Sequence, residues 1–124
     1  MSKILICDDE ASILSILEFT LVTEGYQVVT ARDGDEALAM AAAEDPDLIV
    51  LDVMMPRRNG VEVCHLLKSG RDTAHIPVVL LTAKGRREDR EAGQQAGADS
   101  YIAKPFSPQR LVERIQSLLG VRKG

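Results

Sequence analysis

Five polar residues stand at one relative place in this chain, each where a short apolar run gives out. Asp8 and Asp9 follow Ile4-Leu5-Ile6-Cys7, and Asp52 closes Leu48-Ile49-Val50-Leu51. Thr82 follows Ile76-Pro77-Val78-Val79-Leu80-Leu81, and Lys104 follows Ser100-Tyr101-Ile102-Ala103. Gathered in one pocket, three carboxylates would repel one another, and one would take up a proton unless a cation joined them. A cluster of oxygen donors suits Mg²⁺, which keeps several waters and uses a few carboxylates together with a phosphoryl group. Mn²⁺ is the alternative ion for the same donors. With the metal and Lys104 neutralising a transferring phosphoryl group, Asp52 would attack phosphorus as a carboxylate nucleophile, and Thr82 would hydrogen-bond a phosphoryl oxygen.

Taken singly, each residue has a plainer explanation. An aspartate at a strand end caps a turn, a lysine before proline is solvated, and a threonine there caps the next helix. The ordered set is what resists that explanation, so the question becomes which elements bring it together.

The apolar runs supply strands. Leu48 to Leu51 is continuous, half β-branched and too short for a helix, as expected of a strand buried on both faces. Ile4 to Cys7 and Ile76 to Leu81 read the same way, with Pro77 tolerable only near a strand start. Tyr26 to Thr30 alternates and belongs nearer a sheet edge, and Ser100 to Ala103 is a weak fifth strand. Between them lie helices. The first presents Ile13, Leu17 and Leu21, with Ile16 beside them, and stops near Gly25. Asp33 and Glu36, then Asn59 and Glu62, have capping-box spacing before the second and third helices. The second halts at Asp45-Pro46, and the third turns Val63, Leu66 and Leu67 inward. Residues 84–96 are highly charged and interrupted by Gly93, which costs a helix about 1 kcal/mol relative to Ala; this is the least secure element. Ser107 and Pro108 start the last helix as N-cap and N1, with Leu111, Ile115, Leu118 and Leu119 along its face. Strand and helix alternate through the chain, which predicts an α/β protein with a doubly wound parallel sheet and helices on both faces. In such a sheet the carboxyl ends of the strands share one edge, so the five polar residues would meet there.

Composition narrows the field. A chain of 124 residues, 45% hydrophobic and 27% charged, suits a single domain over 1–124 with an ordinary core. Aromatics make up only 3%, so aliphatic side chains must fill that core. A net charge of −4 argues against direct nucleic-acid binding, which needs a basic face. No apolar run approaches the roughly 18 residues that span a bilayer, and the amino terminus lacks signal-peptide anatomy. The chain therefore reads as cytoplasmic, with no membrane partner. Cys7 and Cys64 have no redox or metal spacing and read as small core residues. His65 and His75 likewise lack metal-ligand spacing.

Asp8-Asp9, the apolar run into Asp52 with Met54-Met55-Pro56 and Gly60, Thr82-Ala83 and Lys104-Pro105-Phe106 together resemble the receiver domain of two-component response regulators. The resemblance covers essentially the whole chain. It implies a flavodoxin-like fold of the chemotaxis-regulator kind, with strand order 2-1-3-4-5 and five helices. It implies that Asp52 accepts a phosphoryl group from the phosphohistidine of a sensor histidine kinase or phosphotransfer protein. Asp9 and Asp52 would ligate Mg²⁺ directly, with the Met54 carbonyl as a third ligand and Asp8 acting mainly through water. Lys104 would pair with the phosphoryl group, and the Lys104-Pro105 bond would be cis. The family also implies a switch, in which Thr82 moves toward the phosphoryl group and Tyr101 rotates inward. That biases a surface of the fourth helix, fifth strand and fifth helix that meets a downstream protein. Such a chain is a signalling receiver, catalysing its own phosphorylation and dephosphorylation, and not a turnover enzyme. Met54 and Lys84 occupy positions that in the family influence access of the hydrolytic water, and their bulk is expected to slow loss of the phosphoryl group. Ending at Gly124 without a linker or effector domain, the chain reads either as a stand-alone receiver, the favoured expectation, or as a piece of a larger regulator.

The stretch from Lys104 to Arg114 resembles the subfamily that carries a winged-helix DNA-binding domain and often dimerises across the switch face. Here Arg110 stands where that pattern has Glu, and Ser100 where it has a second Asp after Asp99. A monomer, or a weak phosphorylation-dependent dimer, is expected. Two other classes compete. A haloacid-dehalogenase-type phosphatase shares the aspartate, lysine and Mg²⁺, but wants a second Asp where this chain has Met54. A flavodoxin needs a phosphate cradle where this chain has Asp8-Asp9-Glu10, whose charge would repel a flavin phosphate.

Overall fold

The computed structural model describes residues 2–83 and 87–120, and at Asp89 the backbone alone. Lys84, invoked above for water access, lies outside the described residues, as does the start of the expected fourth helix.

Five strands form one sheet, β1 (Lys3–Cys7), β2 (Gln27–Ala31), β3 (Leu48–Asp52), β4 (Val78–Ala83) and β5 (Ser100–Lys104). They lie in the order β2-β1-β3-β4-β5, all parallel. Helices α1 (Ala11–Thr23), α2 (Gly34–Glu44), α3 (Gly60–Ser69), α4 (Arg87–Ala96) and α5 (Pro108–Leu119) alternate with them. This is the flavodoxin-like doubly wound arrangement expected from the sequence.

The pleat of each strand divides its side chains between two apolar layers. Ile4 and Ile6, Leu48 and Val50, and Val79 and Leu81 pack against Leu14, Leu17 and Leu21 of α1 and Leu111, Val112 and Ile115 of α5. Leu5 and Cys7, Ile49 and Leu51, and Val78 and Leu80 pack against Ala37 and Ala41 of α2 and Val63, Cys64 and Leu67 of α3. Because both faces are covered, β3 is buried throughout and its sequence cannot alternate. Each fully buried Leu or Ile is worth about 1.5–3 kcal/mol of transfer free energy, which holds the strand ends in fixed register. That register sets Cys7 beside Leu51, Asp52 beside Leu81 and Ala83 beside Lys104.

Several local expectations are met by the geometry. The Asp33 carboxylate accepts from the Glu36 N–H at 2.8 Å, while the Glu36 carboxylate reaches one residue further back, to the Arg32 N–H. The Asn59 side chain accepts from the Glu62 N–H, and the Ser107 hydroxyl from the Arg110 N–H.

Other details differ. On α1 the buried stripe is Leu14, Leu17 and Leu21; Ile13 is only partly buried and Ile16 is 54% exposed. Leu17 and Leu21 of the expected stripe are thus buried, and Leu14 takes the place expected for Ile13, which packs at the edge of the same layer; apolar residues occupy most of the circumference of this helix, so spacing alone leaves its face open. On α3 the inward residues are Val63, Cys64 and Leu67, leaving Leu66 on the surface. β4 begins after Pro77, whose carbonyl accepts from the Ile49 N–H. Asp52 and Lys104 are the last residues of their strands rather than the first beyond them, and Thr82 is the last but one of β4. Among the described residues no helix is long and apolar enough to cross a membrane.

Candidate functional site

The carboxyl edge of the sheet brings together Asp8 and Asp9 from the turn after β1, Asp52 from β3 and Lys104 from β5. A carboxylate oxygen from each of the three aspartates lies within 4.8 Å of the others. Asp8 and Asp52 are buried and Asp9 is exposed, so the cluster has a floor of charge and one open side. Lys104 Nζ stands 3.1 Å from Asp8 Oδ2, 3.2 Å from Asp52 Oδ2 and 3.7 Å from Glu10 Oε1. The Glu10 N–H donates to the second Asp8 oxygen at 3.0 Å, and the Met54 N–H donates to the second Asp52 oxygen at 3.3 Å.

One ammonium does not balance these carboxylates. Burial, then the neighbouring Asp8 charge, push the Asp52 carboxyl up to about 6, although Lys104 and the Met54 N–H pull it down. Burial disfavours the Lys104 ammonium, but Asp52 and Asp8 outweigh it and hold its pKa above the ordinary lysine value. A buried acid with a raised pKa beside fixed oxygen donors is a site that gains from a divalent cation, and the oxygen-only donor set fits Mg²⁺.

Thr82 lies on β4 next to Leu81, the register partner of Asp52. Its hydroxyl is buried and has no hydrogen-bond partner among the described residues. A buried hydroxyl without a partner costs about 1–3 kcal/mol, so it has to be explained. The Tyr101 hydroxyl is unpartnered in the same sense. Its ring lies at the other apolar layer, where a Cβ on Gly93 of α4 would come within 3.0 Å of Tyr101 Cε1 and 2.5 Å of Leu80 Cδ1. Tyr101 is half-buried there.

The loop after β3 is tightly bound. The Gly60 N–H donates to the Val53 carbonyl at 2.9 Å, and a Cβ at Gly60 would fall 2.4 Å from the Asp52 carbonyl oxygen. Only glycine lets α3 begin so close to the strand that carries Asp52. Arg58 ties the same loop to α2 through Asp35 and to α3 through Glu62, each at 2.9 Å. The Lys104-Pro105 bond is cis, as expected. Cys7 and Cys64 are buried free thiols, pushed up by burial, Cys64 to about 11; they have the character of core residues.

Two features escaped the sequence. Glu10 is a third acid within reach of Lys104, where the sequence placed only Asp8, Asp9 and Asp52 in the pocket. A cleft of about 780 Å³ opens beside Asp52, walled by Ile13, Ile16, Met54 and Phe106. The signal for that wall was the spare apolar stripe on α1, which the periodicity assigned to the core.

Comparison with known proteins adds the family context. Residues 4–116 match the family model for the response regulator receiver domain. The chain is 47% identical over 117 residues to the alkaline phosphatase synthesis transcriptional regulatory protein PhoP of Bacillus subtilis, covering 94% of this chain and 48% of that protein. It spans about half the length of the curated relatives it matches. A putative response regulator from Chloroflexus aurantiacus superposes with a TM-score of 0.91 at 37% identity, covering 97% of this chain and 98% of that one. The receiver domain of sensor histidine kinase PA1611 from Pseudomonas aeruginosa, crystallised with a magnesium ion in its active-site cleft, gives a TM-score of 0.88 at 29% identity over 97% of this chain and 98% of that one.

Proposed function

Because the chain belongs to the response regulator receiver domain family, we propose that it is a phosphorylation-dependent signalling switch whose acceptor is Asp52. The donor is the phosphohistidine of a sensor histidine kinase or phosphotransfer protein. An Asp52 oxygen attacks phosphorus in line with the leaving imidazole. The phosphorus–nitrogen bond breaks, the imidazole takes a proton, and an aspartyl phosphate remains. The Lys104 ammonium donates to the phosphoryl oxygens, and the Thr82 hydroxyl gains the partner it lacks. Asp9, Asp52 and the Met54 carbonyl would hold Mg²⁺, with Asp8 acting through water. The ion, when bound, supplies further neutralisation of phosphoryl charge. Residues 1–124 act as one receiver unit in the cytoplasm, and a downstream protein reads the α4–β5–α5 face through Thr82 and Tyr101.

The observation that carries this reading is the convergence of buried Asp8 and Asp52 on Lys104, at 3.1 and 3.2 Å, at one edge of the sheet. Incubation with acetyl phosphate and Mg²⁺, followed by intact mass, tests it. A single phosphoryl adduct that disappears in Asp52→Asn is expected. Folded, metal-loaded protein that takes up no phosphoryl group sinks the proposal.

A further inference from the structure

The cleft beside Asp52 is lined by two unlike sets of side chains. Asp52 and Lys104 are charged, while Ile13, Ile16, Met54 and Phe106 are apolar. A phosphoryl group engages only the charged set. Ile16 is 54% exposed and Met54 59% exposed, so large apolar surface stands in water directly beside the acceptor. From this juxtaposition we propose that the wall holds the uncharged apolar tail of a small acyl phosphate, so that the protein discriminates among free phosphodonors by the length of that tail. The inference rests on Asp52 being the phosphoacceptor.

The shape favours a small molecule. About 780 Å³ lies within the range of small-ligand clefts, roughly 300–1,000 Å³. The charge pattern selects among such molecules. Lys104 lines the cleft beside Asp52, whereas Glu10, which lines the same cleft, repels a tail that carries its own negative charge. Transfer from an acyl phosphate also needs no added proton. An Asp52 oxygen bonds to phosphorus, the bond from phosphorus to the acyl oxygen breaks, and the carboxylate departs with the electron pair. Total charge is the same on both sides.

The test compares acetyl, butanoyl and hexanoyl phosphates at equal, subsaturating concentration with Mg²⁺, reading Asp52 labelling by intact mass. Their leaving carboxylates are almost equally acidic, so a difference in rate reports the tail. Full burial of a methylene gives roughly a fourfold gain, and an open cleft gives less. The hexanoyl rate is expected to exceed the acetyl rate by about tenfold. That ratio should collapse in Ile16→Ser, a substitution at an exposed position that does not threaten the fold. Succinyl phosphate, with a charged tail, should label more slowly than butanoyl phosphate. Hexylphosphonate, which cannot transfer, should shift the Ile16 and Met54 methyl resonances, and methylphosphonate should not. Labelling by acetyl phosphate with a flat chain-length series overturns the proposal and leaves the phosphoacceptor reading standing. No labelling by any donor overturns both.

Discussion

Burial and the Asp8 charge raise the Asp52 carboxyl from 3.8 to about 6, and the sign of the consequence for stability follows. A folded pKa above the unfolded one means that the ionised carboxylate destabilises the fold; the penalty is complete above about pH 6 and gone below 3.8. Asp52→Asn removes it. The full shift corresponds to about 3 kcal/mol, and the open cleft and the lost Lys104 contact reduce this, so a gain of about 1–2 kcal/mol is expected at pH 7.5 without metal. Urea titrations in chelator at pH 7.5 and pH 4 check it: the gain should shrink at the lower pH, and a variant less stable at both rejects the account. Thr82 makes the converse case. Its hydroxyl is buried without a described partner, so in Thr82→Ala the relieved desolvation cost offsets the lost methyl packing, and stability should shift by less than about 1 kcal/mol. The same variant should lose the change at the Tyr101 ring resonances that phosphorylation produces in the parent protein. The main site residues were legible because each ends an apolar run, and strand ends in a parallel sheet must share an edge. Glu10 and the apolar wall were not legible, because their place depends on which stripe of α1 the sheet accepts.

Among the elements, α4 shows how local propensity and packing oppose each other. Gly93 counts against a helix by propensity, yet Arg87–Ala96 is helical and, of its described residues, only Gly93 and Ala96 are buried. The missing side chain is what lets α4 lie on Leu80 and Tyr101. A Cβ there would stand 2.5 Å from Leu80 Cδ1, and Leu80 is fully buried, with little room to yield. Gly93→Ala should therefore lower stability by about 1–2 kcal/mol despite its better helix propensity, measured as a shift in the urea midpoint; a stabilised variant would show that packing does not decide here. Gly97 ends the helix with φ of +97°, the Gly97 and Ala98 N–H groups donating back to the Gln94 and Gly93 carbonyls. The strands, their order of burial and most caps could be read from residue types, since a doubly covered sheet demands continuous apolar runs. Helix faces were harder to read wherever apolar residues surround the axis, as they do on α1, because periodicity then has no single answer.

For the molecule as a whole, the question is whether the α4–β5–α5 face pairs with a second copy of itself. A two-fold dimer sets each patch against its own copy, so an unbalanced charge meets the same charge. Arg90 and Arg110 are exposed on this face, and neither side chain forms an ion pair among the described residues. Ser100 is buried and accepts from the Arg114 guanidinium. Asp99 is held at the other end of the strand by Lys68 at 2.9 Å and by the Val78 N–H at 2.8 Å. Of the acids that the subfamily pattern sets against those arginines, two are replaced here by Ser100 and Arg110, and Asp99 is engaged by Lys68. Protein treated with beryllofluoride and Mg²⁺ should remain monomeric by light scattering over a concentration series. Ser100→Asp combined with Arg110→Glu should produce a dimer under the same treatment. If like-charge repulsion is the cause, the treated parent protein should associate more as salt rises, because the screening length falls from about 10 Å at 0.1 M to about 3 Å at 1 M. The repaired variant, held by opposite charges, should respond in the opposite direction. A dimer of the treated parent protein at low salt would show that apolar contacts on this face outweigh its arginines.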